Sequence, residues 1–254
     1  FKQKTAYEIK ECDWSSDVCS SDLSKKYNTS KPFICGGVAR DKFMEKLDNI
    51  SDLDITTGDD SIKILGQEFN IFLKKNFFIK STIGADGHLS LFLKDLKIDF
   101  SSNFNAPNIE EILYLKNIKN PSNIEKEMFS RDFTCNSLLL SINLKHIYDP
   151  TGKGIKDINN KIIRCCTNPE FTFNDISKTR AIRCMYISSK LDFDIDPKYE
   201  LQNDQFLLHG KFSKRHFLDC VCDFSIACSS LRKSPAQSAK EILYLEKTLA
   251  AYKE

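Results

Sequence analysis

The chain has 254 residues, 41% hydrophobic and 28% charged, with a formal net charge of +2. That suits one large or two small soluble globular domains. No run of about 18 apolar residues occurs and no secretory leader pattern, so a cytoplasmic protein with no membrane partner is expected. Ten cysteines without regular spacing point to free thiols in a reducing compartment. Cys165-Cys166 and Cys220-Val221-Cys222 read as small buried apolar positions, and His216 near Cys220 has no second ligand pair at zinc spacing.

Residues 1–23 show no helical or strand period across their Ser/Asp-rich part, hold the single Trp, Trp14, and resemble translated read-through of a sequencing adapter. We set them aside as one does a fusion scar and expect the native chain to begin near Ser24, with its own N-terminus missing. Without them 34 basic residues face 30 acidic ones, a mild excess compatible with RNA but not diagnostic of it. Lysines number 30 and arginines 7, and five of those seven (Arg40, Arg131, Arg164, Arg180 and Arg183) fall in the segments discussed below. The planar arginine fork suits phosphates and base edges as lysine does not; chance retention is the alternative.

In chain order, 32–35 is a short apolar strand running into the tight turn Gly36-Gly37. A helix is predicted over 38–46, with Phe43 and Leu47 facing a core, and a second strand over 53–55. Asp59 or Asp60 caps a helix to about 75, with Ile62, Leu65, Phe69 and Phe72 on one side. A strand begins at 77–79, 85–88 is a hairpin turn, and strands follow at 89–93 and 96–100. Pro107 starts a helix carrying Ile109, Ile112 and Leu113. Further helices are predicted over 132–142, 173–191, 212–231 and 235–252, the last with Pro235 in its first turn. The fold class is α+β: a mixed sheet with a few helices, then an all-helical extension. The chain breaks between them at Asp149-Pro150-Thr151-Gly152 and Asn168-Pro169.

Asp52 and Asp54 lie one apart in a predicted strand, and so on one face. Carboxylates side by side repel unless a cation lies between them. Hard oxygen ligands favour Mg²⁺, held by one or two carboxylates together with substrate phosphates. Gly36-Gly37 just upstream lets backbone approach a phosphate closely. The combination reads as a nucleoside triphosphate site for metal-assisted phosphoryl or nucleotidyl transfer. For Asp52 and Asp54 alone, a solvated strand end is equally open. Asp99, in Lys97-Ile98-Asp99-Phe100, is a candidate third carboxylate, as general base or metal ligand, or else an edge-strand charge.

Four motifs follow one another in the chain. They are Gly36-Gly37-Val38-Ala39-Arg40-Asp41 with Asp52-Leu53-Asp54, then Ser130-Arg131-Asp132-Phe133-Thr134-Cys135-Asn136. Next come Asp149-Pro150-Thr151-Gly152 with Asp157 and Ile162-Ile163-Arg164, and last 173–183. Their order across 32–200 resembles the class II tRNA nucleotidyltransferase and bacterial poly(A) polymerase family, within the nucleotidyltransferase superfamily that includes DNA polymerase beta. The resemblance implies a DNA polymerase beta-like head over 24–165 and an all-α neck and start of an RNA-binding body over 166–254.

It implies further that the glycines cradle the triphosphate, that Arg40 steadies its phosphates, and that Asp52 and Asp54 hold Mg²⁺. Arg131, Asp132 and Asn136 correspond to an Arg-Arg-Asp-Phe-Thr-x-Asn segment contacting the sugar and phosphates of the incoming nucleotide. Ser130 replaces the first Arg, and Asp132 also reads as a helix N-cap. The third motif is a joint between head and neck, its second glycine displaced to Gly154; for Arg164 a salt bridge and a ligand contact are both open. In the fourth, a Glu-Asp-x-x-Arg helix presents an Asp and an Arg to the base edge of CTP or ATP. Here Asp175 pairs by spacing with Lys178, and Arg180 and Arg183 follow out of register. Capping by Asn174 or Asp175 with solvated cations stands beside that reading.

The implied activity is template-independent addition of CMP and AMP to the 3′ end of tRNA, with release of pyrophosphate. The alternatives are poly(A) polymerase, CC-only or A-only addition, and a catalytically impaired nucleotide- or RNA-binding fragment. The segment 64–69 lacks the paired cations of a poly(A) polymerase signature, which favours tRNA. The chain is expected to stop within the neck or early body, and oligomeric state is left open.

Overall fold

The computed structural model describes residues 30–47, 50–167 and 177–198, the side chains of 177–182 excepted. The predicted helices over 212–231 and 235–252, residues 1–23 and Asp175 lie outside the described residues. Two compact units result. Of the described residues, the first holds those up to Arg131 together with Asn136–Gly154, and the second holds Asp132–Cys135 and those from Ile155 onward.

In the first unit, strand β1 (Phe33–Cys35) turns at Gly36 into helix α1 (Gly37–Phe43). Strand β2 (Asp52–Thr56) leads to helix α2 (Ser61–Asn76). Strands β3 (Lys80–Ile83), β4 (Leu89–Leu93) and β5 (Leu96–Phe100) follow, then helices α3 (Ile109–Leu115) and α4 (Asn123–Phe129). Strands β6 (Leu139–Ser141) and β7 (Ile147–Tyr148) complete a seven-stranded sheet of order β3-β4-β5-β2-β1-β6-β7. Its pairs are antiparallel except β2 with β5.

Strand alternation sends successive side chains to opposite faces. Leu89, Leu91 and Leu93 of β4 and Leu96, Ile98 and Phe100 of β5 are buried. They form one cluster with Ile55 of β2 and with Ile62, Phe69 and Leu73 of α2. The amphipathic stripe read from the α2 sequence is therefore its core face. Gly66 allows this close approach, since a Cβ there would lie 3.0 Å from Cβ of Phe100. Lys97 and Asp99 alternate with those apolar residues and fall on the other face of the sheet.

The helix expected over 132–142 is corrected. Thr134–Asn136 makes one 3-10 turn, and Leu139–Ser141 is strand β6, paired with β1 through Leu139 and Cys35. Leu138-Leu139-Leu140 is a short, fully buried apolar run, which periodicity cannot divide between helix and strand. The helical turn nearby is α4, begun by a capping box in which Ser122 and Glu125 each accept from the other's backbone N–H.

The second unit holds helix α5 (Gly154–Asn159), strand β8 (Ile162–Ile163), helix α6 (Ser177–Leu191) and strand β9 (Asp194–Ile195). Strand β8 pairs with β9 in parallel, and α6 packs against both. Among the described residues no helix is long and apolar enough to cross a membrane.

Candidate metal and nucleotide site

The parallel pairing of β2 and β5 sets Asp54 opposite Asp99, and Asp52 opposite Lys97. One carboxylate oxygen from each of Asp52, Asp54 and Asp99 lies within 4.8 Å of the others. Three negative charges so close raise one another's energy unless a cation intervenes. Lys97 supplies part of that offset: its Nζ donates to Asp99 Oδ2 at 2.5 Å. Burial pulls the ammonium's pKa down, but the Asp99 contact and the charges of Asp99, Asp52 and Asp54 more than reverse this and leave it raised.

The other oxygen of Asp99, Oδ1, is buried with no hydrogen-bond partner. A buried acceptor left unmade is costly, and a carboxylate oxygen in that state beside two further carboxylates fits a hard divalent cation. Asp52, Asp54 and Asp99 are the residues that could hold one.

The glycine bend approaches the same acids. Gly36 has φ +72°, and a Cβ on it would stand 2.6 Å from Asp54 Oδ2. Arg40, one helical turn on, is 2% exposed. Its guanidinium pairs with Asp41 at 2.7 Å and donates to Asn136 Oδ1 at 2.6 Å. A Cβ on Gly37 would meet Arg40 Nη2 at 3.5 Å. The structure thus joins Gly36, Gly37, Arg40 and Asn136 into one braced turn, with Arg40 underneath it.

Arg131 leaves the end of α4 and enters from the other side. Its Nη2 donates to Glu127 Oε1 and to Cys35 Sγ, both at 2.9 Å, while Nη1 lies 3.9 Å from Asp54 Oδ2. Burial works against the guanidinium's charge; Cys35, Glu127 and Asp54 outweigh it, so its pKa is raised and the group stays ionised. Cys35 faces Asp54 across the β1–β2 ladder. Burial pushes its thiol up to about 12, with Arg131 opposing and the Asp54 and Glu127 charges adding to the rise.

Sequence reasoning missed Glu127, Lys97 and Cys35 as members of this group. Two of them carried a signal: Glu127 stands four residues before Arg131 on a helix, and Lys97 two residues before Asp99 on a strand.

Within the second unit, Asp132 Oδ2 pairs with Arg183 Nε of α6 at 2.5 Å, and Asp132 Oδ1 accepts the Phe133 N–H at 2.8 Å. Two residues expected at the nucleotide, 51 apart in sequence, therefore meet. Lys178 and Arg180 lie on α6, but their side chains, like Asp175, lie outside the described residues. Arg164 makes salt bridges to Asp157 at 3.1 Å and Asp196 at 2.7 Å, and Asp157 also accepts from the Thr134 hydroxyl at 2.7 Å. Among the described residues the five cysteines are free thiols.

Residues 32–164 match the family described as the poly A polymerase head domain. Two curated relatives from Schizosaccharomyces pombe are similar. The tRNA nucleotidyltransferase cca1 is 40% identical over 70 residues, covering 28% of this chain and 14% of that protein. The tRNA nucleotidyltransferase cca2 is 28% identical over 183 residues, covering 65% of this chain and 36% of that protein. A solved tRNA nucleotidyltransferase complexed with a primer tRNA and an incoming ATP analog superposes with a TM-score of 0.63 at 19% identity, over 91% of this chain and 60% of its own. The chain thus spans about a third of the longer curated match and well over half of the structure.

Proposed function

The chain belongs to the poly A polymerase head domain family, and on that premise we propose that it adds nucleotides to the 3′ end of an RNA, tRNA first among candidates, by nucleotidyl transfer from CTP or ATP. In that reaction the RNA 3′-oxygen bonds to the α-phosphorus and pyrophosphate leaves. One arrangement carries the reading: three carboxylates, one of them with a buried oxygen that has no hydrogen-bond partner, each offer an oxygen within 4.8 Å of the others beside a bend with no room for a side chain.

Mg²⁺ held by Asp52, Asp54 and Asp99 would offset triphosphate charge and ease ionisation of the attacking hydroxyl. Lys97 tempers the repulsion among the three acids and fixes the Asp99 carboxylate. Gly36 keeps Asp54 clear of a Cβ, so that a phosphate chain can lie along the bend. Arg40, bound to Asp41 and Asn136, braces Gly36-Gly37 from beneath, a role that supports the bend. Arg131 presents a permanent positive charge near Asp54, suited to phosphate oxygens. Asp132 and Arg183, with Asp175, Lys178 and Arg180, are the residues we assign to the sugar and base of the incoming nucleotide.

The test incubates the protein with tRNA ending at the discriminator base, Mg²⁺ and labelled CTP or ATP. Incorporation of both supports CCA addition; CTP alone points to a CC-adding enzyme, and ATP alone to an A-adding enzyme or a poly(A) polymerase. Incorporation of neither overturns the reading in favour of a nucleotide- or RNA-binding module, the rival that the altered spacing of Asp175, Lys178 and Arg180 supports.

A further inference from the structure

The geometry points to Glu127 as a positioning residue that fixes the arginine of the nucleotide site against the strand bearing the third carboxylate. Its side chain is fully buried, at 0% exposure. A carboxylate out of water must be paired and hydrogen-bonded, and Glu127 is so on both sides. Oε1 takes Arg131 Nη2 at 2.9 Å. Oε2 takes the Ser102 hydroxyl at 3.1 Å and the Asn103 N–H. Ser102 and Asn103 lie three and four residues beyond Asp99, where the chain leaves β5. One buried side chain therefore ties the exit of the Asp99 strand to the guanidinium that approaches Asp54.

The capping box fixes the start of α4, and Met128 packs with Cys35 and Leu139 in the core, so the stem of Glu127 has little freedom. Arg131 has one anchored end, Nη2, bound to Glu127 and Cys35, and one end, Nη1, directed toward Asp54. Glu127 touches no candidate position for substrate. It acts by holding Arg131 in a single rotamer, so that a phosphate meets a charge already in place and no side-chain ordering is needed on binding.

This inference rests on the proposed role of Arg131 at the triphosphate, and the experiment separates the two. Binding of CTP, ATP and inorganic pyrophosphate is measured by calorimetry without RNA, for wild type, Glu127→Gln, Arg131→Ala and the double variant. Glu127→Gln keeps the shape and loses the charge. We expect about tenfold weaker pyrophosphate binding, equivalent to about 1.4 kcal/mol, and, in the separate tRNA incorporation assay, a rise in nucleotide KM larger than the fall in kcat. In the Arg131→Ala background Glu127→Gln adds no further loss, as for two residues acting as one unit.

If wild type binds neither nucleotide nor pyrophosphate, the functional reading fails and takes this inference with it. If wild type binds and folded Glu127→Gln binds equally well, or if the two losses add, the positioning role is overturned while the functional reading stands. Should Glu127→Gln not fold, Glu127→Asp serves. It keeps the charge but is one methylene too short to span Arg131 and the Ser102-Asn103 loop, and unchanged pyrophosphate affinity in it would equally overturn the proposal.

Discussion

Replacing Gly36 with Ala probes whether the bend and the acid pair form one device. Gly36 sits at φ 72° and ψ −139°, a region almost reserved for glycine, where a side chain costs on the order of 1–3 kcal/mol. The added Cβ would lie 2.6 Å from Asp54 Oδ2, so that oxygen must retreat by about 0.8 Å to reach ordinary contact. The backbone cannot absorb the shift easily, because Asp54 is laddered to Cys35 on one side and to Asp99 on the other. The carboxylate must therefore rotate away from the other acids. A misplacement of about 1 Å in a positioned group can cost about 100-fold, or about 2.7 kcal/mol of barrier. We expect Gly36→Ala to lose about 1–3 kcal/mol of stability in urea unfolding and about 100-fold in single-turnover incorporation of labelled nucleotide with Mg²⁺. Gly37→Ala is the contrast for stability: it stands at the first residue of α1 and its Cβ meets only Arg40 Nη2, at an ordinary 3.5 Å, so no such loss is expected. A Gly36→Ala protein that incorporates nucleotide within threefold of wild type would refute the coupling of bend to acid.

Three further outcomes are expected. Asp54→Ala removes the acid shared by the bend, the cluster and Arg131, and incorporation should fall on the order of 10³-fold with an unchanged circular dichroism spectrum; retained activity would end the metal assignment. Asp59 precedes α2 and accepts from the Ser61 N–H at 3.0 Å and the Thr57 hydroxyl at 2.9 Å. Burial alone would raise its carboxyl pKa, yet the hydrogen bonds from Ser30, Ser61 and Thr57 hold it below the ordinary 3.8. A carboxyl lowered by the fold stabilises it above the unfolded value and loses that contribution as pH falls through the folded value. Asp59→Ala should therefore cost about 1 kcal/mol near neutral pH, as for a lost capping side chain, and progressively less below pH 3.8; an equal cost at pH 7 and pH 3 would contradict this. Cys35, 0% exposed with its thiol pushed up to about 12, should escape iodoacetamide at pH 8 in the native protein and react in urea, as peptide mass spectrometry can follow. Rapid native labelling would show that the thiol is neither shielded nor suppressed.

The acids of this site were legible in sequence because strand geometry is so regular. A period of two puts Asp52 and Asp54 on one face whatever surrounds them, and the glycine pair marks a turn with or without a fold. The α2 stripe and the hairpin strands are legible for the same reason. The register that sets Asp54 opposite Asp99 is not local: β2 and β5 are separated by α2, β3 and β4, and only the assembled sheet makes them neighbours. The stretch after Arg131 misled for another reason. Its leucines are buried on every side, so they carry no periodicity, and the strand is specified by its pairing with β1 and not by propensity. The capping signal Ser122-Asn123-Ile124-Glu125 was readable, and it would have placed the helix before Arg131 instead of after it.

The cations show why residue type alone does not assign a role. Arginines stood out in a lysine-rich chain as phosphate ligands, and four of them are held in the structure by carboxylates: Arg40 by Asp41, Arg131 by Glu127, Arg164 by Asp157 and Asp196, and Arg183 by Asp132. The planar fork that suits a phosphate suits a carboxylate equally, so an arginine near a triphosphate site can be either ligand or brace. Burial and the count of anchored nitrogens separate the two. Arg40 is enclosed, with Asp41 and Asn136 sharing its guanidinium; Arg131 is anchored at Nη2 and directs Nη1 toward an acid of the carboxylate cluster. Lys97, an unremarkable lysine in the sequence, is the cation that lies directly on an acid of the cluster. Under the proposed reading, a triphosphate would meet an arginine already placed by a buried acid, beside a carboxylate cluster that Lys97 offsets only in part.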